Sequence, residues 1–343
     1  MLAAVLEDFG RLVLREVPTP QPGPQEVLVR VRACGFCATD FKAIMGIRRN
    51  VTFPFIPGHE PAGIVESVGP GVTAFKPGDE VIIQPSGFCG VCRECRLGRT
   101  HYCRSAYTTG GDGPPDVRPG SFAEYVVTGA NTLYPKPPGI SFDAACRAEP
   151  VSGAWKGLIH MSQMQLGDDV VVIGAGGIGA YCLMVARAAG AARLVAVDVS
   201  DFALETARAL GATHTVNPRR CDARSTIMDI IPDGPDVVIE AAGPIDAVKL
   251  MVSLLRRGTR WNIFGITTHE TFELDGGLMH FLEARMDASF GTNPLAMEKA
   301  IRLIAGGLVN PEKVISHRFA LADIHRAVEV MAGDRRNKVI INP

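Results

Sequence analysis

Residues Val171–Gly179 read VVIGAGGIG, and this stretch decides the architecture of the second half of the chain. The apolar run Asp169–Gly174 (DVVVIG) predicts a buried strand and Ile178–Ala189 predicts a helix. Between them, Gly174, Gly176 and Gly179 satisfy G-x-G-x-x-G, with Gly177 and Ile178 inside the motif. The first glycine permits a tight turn, the second lets backbone approach a pyrophosphate, and the third lets the helix pack closely on the strand. The helix start adds free N–H groups and partial positive charge for phosphate oxygens.

Asp198 closes the next predicted strand, Leu194–Asp198 (LVAVD), 19 residues past Gly179. A carboxylate there accepts from a ribose 2′-hydroxyl and repels a 2′-phosphate, and Val199, Ser200 and Asp201 bring no arginine to receive one. The turn therefore predicts NAD rather than NADP, bound by Gly174, Gly176, Gly177, Ile178, Gly179 and Asp198.

Outward from this turn the rhythm continues with a helix at Phe202–Leu210 and strands at Asp236–Ala241 and Trp261–Gly265. Strands alternating with helices imply parallel pairing by crossover, hence an α/β sheet covered on both faces. The alternation stops near Ser289–Pro294. Residues 1 to about 150 differ: Gly and Pro punctuate short strands at Leu28–Ala33, Ala62–Val68, Glu80–Ile83 and Phe122–Val127, which predicts a β-rich, barrel-like domain. The tail carries a helical stretch after Leu295, another around Ala322–Met331 and a strand at Lys338–Ile341, too little for a third domain. With 343 residues and about 150 per domain, two domains are expected: 1–152 together with 291–343, and 153–290.

Composition narrows the function classes. Lys plus Arg total 35 against 36 Asp plus Glu, a net charge of -1, which offers no excess cation for nucleic acid or an anionic bilayer. The longest uncharged apolar run, Val170–Ala186, holds four glycines and falls short of the roughly 20 residues of a bilayer span. Glu7 and Asp8 stand where a signal peptide would be basic, so a cytoplasmic location is expected. Nine cysteines, an odd number, then point to metal rather than disulfides.

Cys89, Cys92, Cys95 and Cys103 form C-x2-C-x2-C-x7-C in a Gly- and Arg-rich segment, about 85–110. Four thiolates close a tetrahedral shell with no open position, the pattern of structural zinc. His101, two residues before Cys103, is read as a surface histidine. A dispersed set comprises Cys37 in GFCATD, His59 and Glu60 in PGHEPAG, and Glu149 in AEPVSG. Cys, His and Glu are competent donors for a catalytic zinc that keeps an open position. Taken singly, each also reads as an ordinary core cysteine, satisfied histidine or turn glutamate. Cys34 makes a CxxC pair with Cys37 and is read as core.

Together the tetracysteine loop, the glycine-rich turn, GHE and GDEV (Gly78–Val81) resemble the zinc-dependent medium-chain alcohol dehydrogenases over essentially the whole chain. Glu149-Pro150 makes the chain most similar to the polyol (sorbitol) and threonine dehydrogenase branch. The resemblance implies a GroES-like catalytic domain and a Rossmann domain with a doubly wound parallel sheet. It also implies two zinc ions per chain, one catalytic and one structural. By that likeness Cys37 and His59 are catalytic zinc ligands, and Glu60 and Glu149 supply a carboxylate directly or through water. Asp40 orients the His59 ring, and Thr39 bonds the alcohol oxygen and accepts its proton. Lys42 stands where many relatives end the proton relay with a histidine. The implied reaction moves a hydride from a secondary alcohol (polyol, sugar-like or amino alcohol) to NAD, giving a ketone, in a homodimer or homotetramer. Trp261–Ile266 is the expected sheet edge for that assembly.

Arg147, two residues before Glu149, and Arg48 and Arg49 depart from the family's pattern. They read either as receivers of a polar or anionic substrate group, through paired guanidinium bonds, or as solvated surface arginines. Competing readings of the whole are a ketone or aldehyde reductase running in the opposite direction, and a zinc-loop binding protein without catalysis.

Overall fold

Two packing units form, each around its own apolar cluster, in a computed structural model that describes residues 1–48, 51–111, 116–265, 271–333 and 335–343. One unit comprises Met1–Ser152, Gly291–Gly307 and Ile315–Pro343, and the other Gly153–Phe290 and Leu308–Val314. The tail is thus divided: the helix Pro294–Ala305 and the strands Ile315–Ala320 and Lys338–Asn342 belong to the first unit, while Leu308–Val314 packs with the second.

The first unit is built on a seven-stranded sheet. Its path runs Leu133–Pro135, Glu80–Ile83, Glu60–Val68, Glu26–Phe36, Lys338–Asn342 and Ile315–Ala320, and Tyr125–Gly129 also pairs with Glu26–Phe36. Pairing is antiparallel except between the last two strands of the path. Val27, Val29 and Val31 alternate into the core beside Phe36 and Phe122, whose rings meet edge-on at 5.0 Å. Such a pair contributes about 1 kcal/mol beyond its buried area. The strand expected at Phe122–Val127 begins instead at Tyr125, because the Phe122 carbonyl is taken by the Ala4 N–H at 2.8 Å. One register carries consequences for the site: Gly35 stands opposite Glu60 on one side and Ile340 on the other. A hairpin of Leu2–Asp8 and Arg11–Glu16 and a small sheet of Ser86–Gly87, Tyr107–Thr109 and Asp116–Arg118 complete the strands of this unit.

In the second unit six parallel strands run in the order His214–Val216, Leu194–Val197, Val170–Ile173, Val237–Glu240, Arg260–Ile263, Arg285–Ala288. The three central strands, VVVI, LVAV and VVIE, are buried throughout, as strands sandwiched between helices must be. The order reverses at Val170–Ile173, which places the glycine-rich turn at a topological switch point, where doubly wound sheets bind ligands. This is the α/β architecture expected.

The edge expectation is corrected. The strand carrying Trp261 is interior, paired on both sides, and the edge on its side of the sheet is Arg285–Ala288. That segment (RMDA) carries just two apolar residues, Met286 and Ala288, both exposed, so its strand character comes from pairing rather than from a buried apolar face. Ile266, the end of the expected edge, lies outside the described residues. Among the described residues no helix is long and apolar enough to cross a membrane.

Candidate active site

The glycine turn is shaped by close approach. Gly174 has φ +92°, and a side chain there would meet the Ala242 backbone nitrogen at 2.6 Å; a Cβ on Gly179 would lie 1.7 Å from the Gly174 carbonyl oxygen. Gly176, by contrast, faces open space, the clearance a pyrophosphate needs. The helix Gly177–Ala188 starts there, with Gly176 as its N-cap. Asp198 is fixed by the turn it serves, Oδ2 accepting the Ala175 N–H and Oδ1 the Ser200 N–H, each at 2.8 Å. Sequence reasoning missed Glu240. Buried at the end of its strand, it accepts N–H bonds from Ala242 (2.8 Å) and Gly243 (2.7 Å) and so sets the wall that Gly174 abuts. A carboxylate closing an otherwise apolar strand (DVVIEA) was the available signal.

In the first unit, Cys37 caps the helix Ala38–Ile44 and its N–H donates to Asp40 Oδ2 at 2.9 Å. Asp40 Oδ1 accepts the Gly58 N–H at 3.0 Å and lies 3.2 Å from His59 Nδ1. One buried carboxylate thereby ties the cysteine loop to the histidine. Burial by itself would lower the His59 pKa, but the Asp40 charge and its hydrogen bond prevail and hold it well above the usual value. Ligand atoms of Cys37, His59 and Glu60 all lie within 4.8 Å of one another. Thr39 and Lys42 ride the same short helix, one turn apart and half-buried.

The tetracysteine loop also converges, its four ligand atoms within 4.8 Å of one another. Cys89 and Cys103 sulfurs are 3.6 Å apart and Cys92 and Cys103 sulfurs 4.0 Å. Zn–S bonds of about 2.3 Å in a tetrahedron put sulfurs about 3.8 Å apart, so the cage fits the ion. The backbone N–H of Cys95 brings the Cys92 thiol down to about 6, toward the thiolate that binds metal. His101 stays outside this group, half-buried with its ring 4.1 Å from that of Tyr102.

Comparison with known proteins then decides the family. Residues 23–138 match the alcohol dehydrogenase GroES-like domain and residues 177–306 match the zinc-binding dehydrogenase domain. An L-threonine 3-dehydrogenase of Anaeromyxobacter sp. (strain Fw109-5) is 34% identical over 97% of this chain and 96% of its own. The chain belongs to the zinc-dependent medium-chain alcohol dehydrogenase family. Among solved structures, alcohol dehydrogenase TADH from Thermus sp. ATN1 superposes with a TM-score of 0.94 at 29% identity, covering 100% of this chain and 99% of that one. Galactitol-1-phosphate dehydrogenase from Escherichia coli gives 0.91 at 26% identity, with 100% of both chains covered.

As a member of that family, the protein is an oxidoreductase that acts on the CH–OH group of alcohols with zinc and NAD. The donors present suit those groups: a set of four thiolates for a closed zinc site, a thiolate, an imidazole and a carboxylate for an open one, and a clear glycine turn for a dinucleotide.

The structure brings Cys37, His59 and Glu60 together with Asp40 behind, and does not bring the Glu149 carboxylate into that group. Glu149 lies half-buried on the helix Ala148–Trp155, and burial together with the Glu60 charge raises its pKa well above the carboxylate range.

Both expectations for Arg147 are corrected. It is neither a substrate receiver nor a surface residue: it is fully buried, with Nη1 2.7 Å from Glu60 Oε2. Lys338, also buried, holds Glu60 Oε1 at 3.4 Å. Burial would raise the Glu60 pKa, but Arg147 and Lys338 together keep it well below the usual range. Arg48 is half-buried, and Arg49 lies outside the described residues. Cys34 is fully buried, consistent with a core role.

Proposed function

We propose that this alcohol dehydrogenase oxidises a secondary alcohol, of polyol, sugar-like or amino-alcohol type, to the ketone. The single observation that carries the reading is the convergence of Cys37, His59 and Glu60, with Asp40 bonded to the His59 ring. When bound, zinc supplies an electrophile for the substrate oxygen and NAD supplies the hydride acceptor. Cys37 and His59 hold the ion, and a carboxylate from Glu60 or Glu149 completes its protein ligands. Asp40 fixes the His59 tautomer and ring orientation. Thr39 relays the hydroxyl proton, accepting it as its own hydroxyl proton passes onward, and Lys42, one helical turn on, stands at the exit of that path. Gly174, Gly176, Gly177, Ile178, Gly179 and Asp198 seat NAD, while Cys89, Cys92, Cys95 and Cys103 hold a structural zinc. Similarity to an L-threonine 3-dehydrogenase and to a galactitol-1-phosphate dehydrogenase supports the substrate class.

The same reading includes residues 1–152 with 291–343 as the catalytic domain and 153–290 as the NAD domain. It also includes a homodimer or homotetramer formed through the free edge strand Arg285–Ala288, beside which Phe281 is exposed. Nine free cysteines, with eight of them assigned to metal sites or buried in the fold, suit a reducing cytoplasm.

The test is an NADH-absorbance screen across polyols, polyol phosphates and β-hydroxy amino acids, run in both directions, beside zinc analysis. Two zinc per chain, falling to one in Cys37→Ser, and turnover on a member of these classes are expected. Turnover retained in Cys37→Ser at unchanged zinc content would refute the reading.

A further inference from the structure

The residues that follow Asp198 in the chain bring no arginine to it, but the fold supplies one from the next strand. Val197 pairs in parallel with Val216, and the Asp198 N–H donates to the Val216 carbonyl at 3.1 Å. The chain leaving Val216 therefore runs beside the chain leaving Asp198, at the end of the sheet where doubly wound folds bind their ligands. Asn217 ties the two together. Its Nδ2 donates to the Val199 carbonyl at 3.3 Å and to Asp201 Oδ1 at 2.9 Å. Its Oδ1 accepts the Arg219 N–H at 3.0 Å and its carbonyl accepts the Arg220 N–H at 2.9 Å, which closes a tight turn. That turn delivers the Arg220 guanidinium to the second oxygen of Asp201.

Two acids thus stand on one short loop with different duties. Asp198 accepts the Ser200 N–H at 2.8 Å and keeps lone pairs for a ribose hydroxyl. Asp201 has one oxygen on an amide and the other on a guanidinium. The pair is solvated, with the Arg220 side chain 69% and the Asp201 side chain 52% exposed, so it adds little stability and matters for the charge it cancels. A phosphate on the ribose 2′-oxygen meets the charges of this loop as well as that of Asp198. A guanidinium without a counter-charge would receive it through charge-assisted hydrogen bonds.

We propose that Asp201 is a second coenzyme-selecting acid, which occupies Arg220 and so withholds from a 2′-phosphate the one cation that the fold brings to this loop through Asn217. Preference for NAD over NADP then depends on the Asp201–Arg220 pair as well as on Asp198. The inference rests on the assignment of the glycine-rich turn and Asp198 to NAD. The two acids separate by coenzyme: losing the Asp198 carboxylate costs NAD a hydrogen bond, whereas losing the Asp201 charge alters what a 2′-phosphate meets and leaves NAD as it was.

The experiment measures dissociation constants of NAD and NADP for the full-length enzyme by titration calorimetry, without alcohol, at low and at high salt. Asp201→Asn keeps an acceptor for Asn217 and removes the charge on Arg220. It is expected to tighten NADP at least about threefold with NAD unchanged within about twofold, a gain that shrinks as salt rises. Arg220→Gln alone frees the Asp201 charge and weakens NADP, and adding Arg220→Gln to Asp201→Asn abolishes the gain. The proposal is overturned if Asp201→Asn leaves the ratio of the two constants unchanged. It is also overturned if the gain survives in the double variant, since Arg220 would then play no part. Should Asp201→Asn fail to fold, Arg220→Gln decides by itself, an unchanged ratio refuting the pair's role. Failure of the underlying cofactor assignment reads differently, as neither coenzyme binding to the parent protein, and would sink both.

Discussion

Asp40 Oδ1 lies 3.2 Å from Nδ1 of His59, and the same carboxylate accepts the N–H of Cys37 through its other oxygen at 2.9 Å. Asp40 and His59 are 19 positions apart, and the buried acid makes one rigid object of the loop and the strand that carry the proposed zinc ligands. Outer partners of this kind typically contribute about ten- to a hundredfold to metal affinity. Asp40→Ala is expected to weaken catalytic zinc by roughly that factor in a chelator competition and to leave the tetracysteine ion in place. Equal retention of both ions by variant and parent would contradict the role given to Asp40.

Cys103 is buried and its sulfur stands 3.6 Å from Cys89 and 4.0 Å from Cys92. Cys103→Ser is expected to lose one zinc per chain and to lower the unfolding midpoint by about 5 °C or more, since the lobe has little apolar core to replace the ion. Atomic absorption on the purified variant and a thermal scan check both halves. Full zinc content with an unchanged midpoint would exclude a structural ion.

Asp198 accepts one N–H on each oxygen, which leaves lone pairs for a ribose and a fixed negative charge against a 2′-phosphate. A charged hydrogen bond is worth about 1.5–3 kcal/mol, so Asp198→Ala should cut kcat/KM with NAD by roughly ten- to a hundredfold. The loss with NADP should be smaller, and the ratio of the two coenzymes is the measurement. An unchanged ratio would show that the carboxylate does not select the cofactor.

Lys156 is 3% exposed, with Nζ donating to the Phe290 carbonyl at 2.8 Å, and burial brings its pKa down from 10.5 to about 8. A lowered lysine pKa means that the unfolded chain binds more protons between pH 8 and 10.5. This lysine therefore adds stability as pH rises through that window and carries its full cost below pH 8. Lys156→Met should be more stable at neutral pH by up to about 3 kcal/mol, and the gain should fade above about pH 10. Denaturant unfolding of both proteins across that range checks it. Parallel pH profiles would show that the folded state does not depress this group.

Local motifs were legible because short stretches of chain determine their own geometry. The tetracysteine loop spans 15 residues, and the glycine turn needs only its flanking strand and helix. The three central parallel strands announced themselves as apolar runs, whereas His214–Val216 did not, and a resemblance across the chain named the remaining candidates. The edge strand Arg285–Ala288 was not legible, since RMDA is four residues long with just two apolar side chains and no β-branched residue, and gains its form from the neighbour it pairs with.

The residues of this chain by themselves determined its donors, its dinucleotide turn and the two-part rhythm of its backbone. Only the tertiary structure decided what Arg147 does. Its partner Glu60 and the second cation, Lys338, lie 278 positions apart in the chain, and sheet register alone brings them to one buried carboxylate. Side-chain type does not reveal whether an arginine will be wet or dry, because burial depends on what the rest of the fold packs against it, here the bare backbone of Gly35 on the strand beside Glu60.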